Sequence, residues 1–521
     1  MKFLATACAL AALANSALAL PKITRVGRYL FNPDGSRFYI KGIAYQEQGR
    51  LAVTDDPNAF PEPDNFVDPL LCQMPASAMF LISNLTVNAI RVYSVNASLN
   101  HDDCMAALDA AGIYTMIDLS LPVNGSLDRS SPAWTTNLLD LYIGTIDVFS
   151  KNVLAYNIGN EVVTDTNNTV AAPFIKAAAR DVKAYLKSKG SSALVGYAST
   201  DGSGWRDPLA NYLACDRDDD SLDIYGQLRE LPCRCLLFRV RMRVPTPRLW
   251  TEATALFSSQ MTPVWSGGLA FSYFPAVGGY GMIELSADNA TVTTSDDYTR
   301  LQNVLSNITF VNEPTQSNAA PSTYPACPAA STDFLASSTL PPTPNTATCE
   351  CIKANSFSCL FTPTTEQGVR GVGQLLDNGC QLLGQAGGTC DAIAGNGQTG
   401  VYGPLSGCSP ETKLSYVFSQ YYERTNRNAQ SCSFGGNATV ANPLPSSSEA
   451  AAAAQSSCIT SGPTGVVTPT APATTRTPVS TSTSGSNGGG NGNQNGVGKG
   501  AVVGLAAAIG AGLVSAVWVA F

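Results

Sequence analysis

Between residue 20 and about residue 320, short apolar runs of β type alternate with helical stretches, and no other feature of the chain constrains its fold as strongly. The runs read as strands are Phe38–Tyr45, Asn88–Tyr93, Ile113–Leu119, Val153–Ile158, Ala193–Ser199, Ser221–Tyr225 and Pro263–Phe271. The clearest helix is Val170–Lys189, with Asp181 and Lys183–Lys189 on its polar face and Gly190 as a stop. Repeating β-α units of about 30–45 residues call for a parallel sheet, and at this length for a closed α/β (β/α)8 TIM barrel. Seven strands are visible, so an eighth is expected between Tyr225 and Pro263.

Barrel active sites are built at the C-terminal ends of the strands. Here those ends carry Tyr45-Gln46, Arg91, Tyr93, Asp118, Asn160-Glu161 and, after the last strand, Tyr273. This polar and aromatic set suits a sugar cleft. Arg91 and Asp118 read equally well as a structural ion pair beneath the site. In the stretch YNIGNEV (156–162) an apolar strand runs into Asn160-Glu161. Retaining glycosidases place their general acid/base at such a strand end, and that chemistry needs a second carboxylate roughly 5–5.5 Å away.

Other chemistries are excluded by a single count. The chain has one histidine, His101, and no G-x-S-x-G elbow, so Ser-His-Asp and Cys-His mechanisms lack their parts. A His-rich metal site is excluded as well, and neither metal nor cofactor is expected. His101, in NHDDCM ahead of a helix-like run, reads as a capping or surface residue. A net charge of −8 without a basic tail argues against nucleic acid.

Residues 1–19 read as a signal peptide: Lys2, the apolar run Phe3–Ala14 and the small-residue site Ala17-Leu18-Ala19. At the other end, small residues at 486–489, a polar spacer to Gly500 and the apolar tail 501–521 fit a glycolipid (GPI) anchor signal, with attachment expected at Asn487. The address is thus the secretory pathway and the outer face of the plasma membrane. Seven Asn-x-Ser/Thr sequons (Asn84, Asn96, Asn124, Asn167, Asn289, Asn307, Asn437) agree with it. In that oxidising setting cysteines are expected in disulfides. Residues 320–348, rich in Pro, Ser and Thr, read as a linker that begins where the barrel domain (20–320) ends. Residues 349–435 hold Cys349, Cys351, Cys359, Cys380, Cys390, Cys408 and Cys432, with Cys458 just beyond, and read as a small stapled domain. Its aromatics Tyr402, Tyr416, Phe418, Tyr421 and Tyr422 read mainly as core. Residues 436–500 read as a disordered, O-glycosylated stalk.

IKGIAYQ (40–46), AIRVYSVN (89–96), HDDCM (101–105), GIYTMIDL (112–119), YNIGNEV (156–162) and MTPVWSGGLAFSYF (261–274) resemble the fungal β-1,3-glucanosyltransferases of glycoside hydrolase family 72. GVYGPLSGC (400–408) and LSYVFSQYY (414–422) are similar to that family's family 43 carbohydrate-binding (X8) module. The resemblance implies a cell-wall transglycosylase whose partners are β-1,3-glucan donor and acceptor chains. Glu161 would be the acid/base, Asn160 would bond the reacting sugar's 2-hydroxyl, and Gln46, Tyr93, Asp118 and Tyr273 match cleft positions. Phe271 stands where the family usually has Tyr. Cys72 and Cys104 match a family disulfide, and Cys215 with Cys327 would make another.

One departure matters. The family's nucleophile lies in a strand-seven motif, Ser-Glu-Tyr-Gly-Cys, and this chain reads QLRELPCRCLLFRVRMRVPTPRLW (227–250) instead. Six of its twenty arginines fall in 229–248. Buried unpaired arginines cost several kcal/mol each, so the segment is not expected to pack in a barrel. Phe238–Arg243 can be encoded ttc cga gta cgg atg cga; one base on, the same letters read tcc gag tac gga tgc, Ser-Glu-Tyr-Gly-Cys. A misplaced intron boundary is therefore expected here, with the missing nucleophile belonging near Arg239. The alternatives are a non-catalytic glucan-binding wall protein and a plain endo-1,3-β-glucanase. Glu252 is an unsuitable substitute, since the family alignment puts it on the next helix.

Overall fold

The computed structural model describes residues 20–46, 70, 82, 84–120, 127–149, 151–200, 202–216, 222–226, 236–240, 247–276, 280–286, 291–321, 323–324, 326–364, 371–461 and 465–471. An antiparallel meander, β1 (Thr24–Val26), β2 (Tyr29–Phe31) and β3 (Arg37–Phe38), precedes the barrel. The barrel strands are β4 (Ile40–Ala44), β5 (Ala89–Val92), β6 (Tyr114–Asp118), β7 (Val153–Asn160), β8 (Leu194–Ala198), β9 (Ile224–Gly226), β10 (Leu236–Val240) and β11 (Trp265–Ala270). Each pairs in parallel with the next, and β11 closes on β4. Between and after them run α1 (Asp102–Ala110), α2 (Thr136–Val148), α3 (Ala172–Ser188), α4 (Arg206–Ala214) and α5 (Thr251–Leu256), then the hairpin β12 (Ile283–Leu285) and β13 (Val292–Thr294), then α6 (Asp296–Asn307).

The eighth strand lies in the gap left for it, and the expectation that 227–250 does not pack in the barrel is corrected for residues 236–240, which pair on both sides. Leu236-Leu237-Phe238-Arg239-Val240 is largely apolar and includes the strand formers Phe238 and Val240, and the backbone ladder to both neighbours requires no particular side chain. Of the six arginines in 229–248, Arg248 is buried and fully employed. It donates to Asp297 Oδ2 at 2.7 Å and to the carbonyls of Phe271 and Tyr280 at 2.7 and 2.9 Å.

Alternation along the strands divides the barrel wall into two apolar faces. Inside, Ile40, Ala89, Tyr114, Met116, Ala155, Leu194, Ile224 and Leu269 pack with Ile23, Leu30 and Phe38 of the meander, which plugs the bottom. Gly42 is a close-approach site: a Cβ there would lie 2.2 Å from Leu269 Cδ2. Outside, Ile43, Ile90, Ile117, Tyr156, Ile158 and Val195 pack against the helices. His101 is neither a surface residue nor a side-chain cap. It starts α1 without a capping bond and is buried with its ring 4.5 Å from Phe149.

The small domain contains α7 (Thr346–Ser356), β14 (Cys359–Phe361), α8 (Val372–Gln385), the hairpin β15 (Gly395–Asn396) and β16 (Val401–Tyr402), α9 (Pro410–Arg424), β17 (Ala438–Val440) and α10 (Ser448–Ser461). Disulfides Cys349–Cys408, Cys351–Cys458, Cys359–Cys432 and Cys380–Cys390 staple it. It therefore runs past the boundary at 435 drawn from sequence, since β17 pairs with β14 and α10 is bonded to α7 through Cys458. Phe418 and Tyr422 are core, Tyr416 is buried, and Tyr402 packs edge-on against Phe174 of the barrel. Gly397 allows that docking, because a Cβ on it would lie 2.0 Å from the Val170 carbonyl oxygen.

Residues 326–345, within the stretch read as a linker, form a strap over the barrel helices. Cys327 is bonded to Cys215, Phe334 is fully buried against Tyr212, and Leu335 N donates to Thr169 Oγ1 at 2.9 Å. At the seam, Asp181 accepts from Trp134 Nε1 (2.8 Å), from the Arg180 guanidinium and from Thr343 Oγ1 (2.7 Å). Thr343 in turn bonds the backbone of Gly465 and Val467. Cys104 is disulfide-bonded; its expected partner Cys72 lies outside the described residues, as do the signal peptide, Asn487 and the apolar tail.

Candidate active site

Arg91 organises the C-terminal mouth of the barrel. It is 2% exposed, and its Nε and Nη2 donate to Asp118 Oδ1 and Oδ2 at 2.9 and 2.6 Å. Burial opposes the guanidinium's charge, but Asp118 and Tyr93 outweigh it and hold the group protonated. Nη2 also donates to Asn160 Oδ1 at 3.0 Å. A guanidinium only donates, so the amide must turn its oxygen to Arg91 and its NH2 the other way. Asn157 Nδ2 donates to Asp118 Oδ1 at 2.6 Å. Asp118 is thus the floor of the site, the ion-pair role that its sequence position also allowed.

Gln46 Oε1 accepts from the backbone N–H of Tyr93 and of Ser94, both at 3.0 Å. Tyr93 lies against the Arg91 guanidinium, 4.5 Å from ring centroid to Cζ. Tyr273 is fully buried, with its ring 5.4 Å from Tyr45, and burial pushes its phenol up. Phe271 packs edge-on with Tyr280.

Glu161 follows a register break in which Asn157 pairs with Gly196 but Asn160 pairs with Ala198. Such bulges re-aim side chains. Glu161 itself takes a left-handed backbone, φ 54°. Its N–H donates to Ala198 O at 2.8 Å, and its carbonyl accepts from Arg129 Nη2 at 3.0 Å. Val163 N donates to Tyr197 Oη at 3.2 Å. Arg129, Asn157 and Tyr197 were not singled out from sequence. Asn157 had a signal, a polar residue inside an apolar strand; the other two are placed by tertiary contacts alone.

Arg239, near which the sequence places the missing nucleophile, lies on β10 in backbone register with Leu269. Glu252 lies on α5. Among the described residues, the carboxylates at the C-terminal strand ends are Asp118 and Glu161, and no group of His, Cys, Asp and Glu could hold a metal ion.

A closed parallel barrel with Asn-Glu at the end of its fourth strand, over a buried Arg-Asp floor, defines a glycoside-hydrolase-type barrel. The glucanosyltransferase profile of glycosyl hydrolase family 72 matches residues 12–235 and 236–309, and an X8 domain profile matches 357–439. The chain belongs to the glucanosyltransferase family. It is 35% identical over 470 residues to 1,3-beta-glucanosyltransferase gas1 of Schizosaccharomyces pombe, covering 84% of this chain and 82% of that one. With pH-responsive protein 2 of Candida albicans it shares 34% over 460 residues, 82% of this chain and 80% of the relative. The solved structure of a glutamate-to-glutamine mutant of Saccharomyces cerevisiae Gas2p in complex with laminaritetraose and laminaripentaose superposes with a TM-score of 0.72 at 28% identity, covering 84% of this chain and 99% of that one.

Proposed function

We propose that the chain is a 1,3-β-glucanosyltransferase that cuts and re-joins β-1,3-glucan in fungal wall assembly by retaining double displacement. The observation that carries this reading is Glu161, set on a turn at the end of β7 beside an Asn160 whose donor end is fixed by Arg91. Glu161 protonates the leaving glycosidic oxygen and then takes the proton of the incoming sugar hydroxyl. Asn160 Nδ2 bonds the 2-hydroxyl of the reacting sugar. Gln46 and Tyr93 line the cleft; Asp118 and Tyr273 support it from below. The barrel domain (20–320) and the X8 module both engage glucan, and a glycolipid anchor at Asn487 holds the protein to the outer membrane face and the wall.

The covalent step needs a carboxylate on β10, and Arg239 stands there. The frame reading supplies it, and the split of the family match between 235 and 236 fits the lost exon piece that this reading includes. Sequencing the transcript across codons 220–250 is the test. An uninterrupted message encoding FRVRMR as written sinks the frame reading and favours the second one, a glucan-binding protein without catalysis. Incubation with a laminari-oligosaccharide then sorts the outcomes. Products longer than the substrate mean transfer, shorter ones alone mean an endo-glucanase, and none means binding only. Glu161→Gln is expected to remove at least 100-fold of any turnover, on the order expected for a lost general acid/base.

A further inference from the structure

A side chain other than glycine at a φ of 54° bears a steric penalty and persists where its surroundings over-determine it. At Glu161 the restraints come from two sides. Strand β8 supplies the Ala198 carbonyl and the Tyr197 hydroxyl, and Gly159 lets the Tyr197 ring sit under the turn, since a Cβ there would lie 3.1 Å from it. From the loop before α2, Arg129 donates through Nη2 to Glu161 O at 3.0 Å and through Nη1 to Thr164 Oγ1 at 3.3 Å. One planar guanidinium thus bridges the turn from its first residue to its fourth, which a lysine ammonium does not do with the same geometry. Tyr197 senses the other two electrically: burial raises its phenol, Glu161 raises it further, and Arg129 lowers it.

We propose that Arg129 is a positioning residue that locks the left-handed turn presenting Glu161; this rests on the reading of Glu161 as the acid/base. If Arg129 holds a strained backbone, its value disappears once the strain does. The test is a four-protein unfolding cycle on the full chain: wild type, R129A, E161G and R129A/E161G. Glycine adopts positive φ freely, so E161G is expected to raise Tm by about 2 °C. R129A lowers Tm in the wild-type background and by less than half as much in the E161G background. Equal losses in both backgrounds would overturn the proposal. R129K is expected to recover less than half of the loss, and full recovery counts against the bidentate bridge. On laminari-oligosaccharide, R129A lowers kcat about tenfold with KM within about twofold, as expected when placement of the acid rather than substrate binding is lost. Absence of turnover in the wild type bears on the proposed function and leaves the unfolding cycle to decide the role of Arg129.

Discussion

Asp118 shows why a residue's partners matter more than its type. From sequence it reads as a cleft carboxylate or as half of a buried pair, and the structure gives it Arg91 and Asn157 as donors. Asp118→Asn leaves Arg91 buried with weakened neutralisation and is expected to cost about 3 kcal/mol in denaturant unfolding. Lys413, buried in the first turn of α9, is a second residue with a definite signature. Burial pushes its ammonium down to about 8. Between that value and its higher unfolded one, the unfolded chain binds more protons than the native one, so this group makes stability rise with pH through that window. Lys413→Met is expected to remove that rise and to stabilise the protein at pH 7 by on the order of 2 kcal/mol, read as the difference between the two unfolding profiles from pH 7 to 10. The strand-end position of Asn160-Glu161 was legible because the apolar run from Val153 stops there. Arg129 and Tyr197 were not, because one comes from a loop and the other from a neighbouring strand whose register only folding sets.

The strands were legible as elements because each is a short apolar run; β4 to β9 and β11 all fall within or close to the runs drawn from sequence. β10 was hidden by flanking arginines that obscure its five-residue pattern. Helix α10 was hidden for the opposite reason. Its Ser-Glu-Ala-rich sequence carries almost no amphipathic signal, and Cys458, joined to Cys351, fastens it instead. The strap escaped because Pro, Ser and Thr dominate it, although Phe334 and Leu335 mark where it grips. The β15–β16 hairpin docks through Tyr402 against Phe174, and Gly397 lets its backbone come close enough. Gly397→Ala places a methyl against the Val170 carbonyl and is expected to cost about 1–3 kcal/mol. Its measurable sign is faster limited proteolysis of the strap, with the four module disulfides intact.

At the scale of the molecule, the two domains share a seam rather than a tether. Removing Cys351–Cys458, which closes a sequence separation of 107, is expected to cost about 3 kcal/mol and to expose 448–461 to proteases while the barrel stays folded. The seam also has a mechanical meaning. The chain leaves the described structure at residue 471, just after the backbone of 465–467 is bonded to Thr343. A pull on the C-terminal end therefore enters at Thr343, passes to Asp181, and divides there between helix α3 and Trp134, both of the barrel, while Cys458 shares the load with the module. Neither domain is a free end hanging from the other. A load on residues 465–467 is therefore shared between the barrel, through Thr343 and Asp181, and the module, through Cys458.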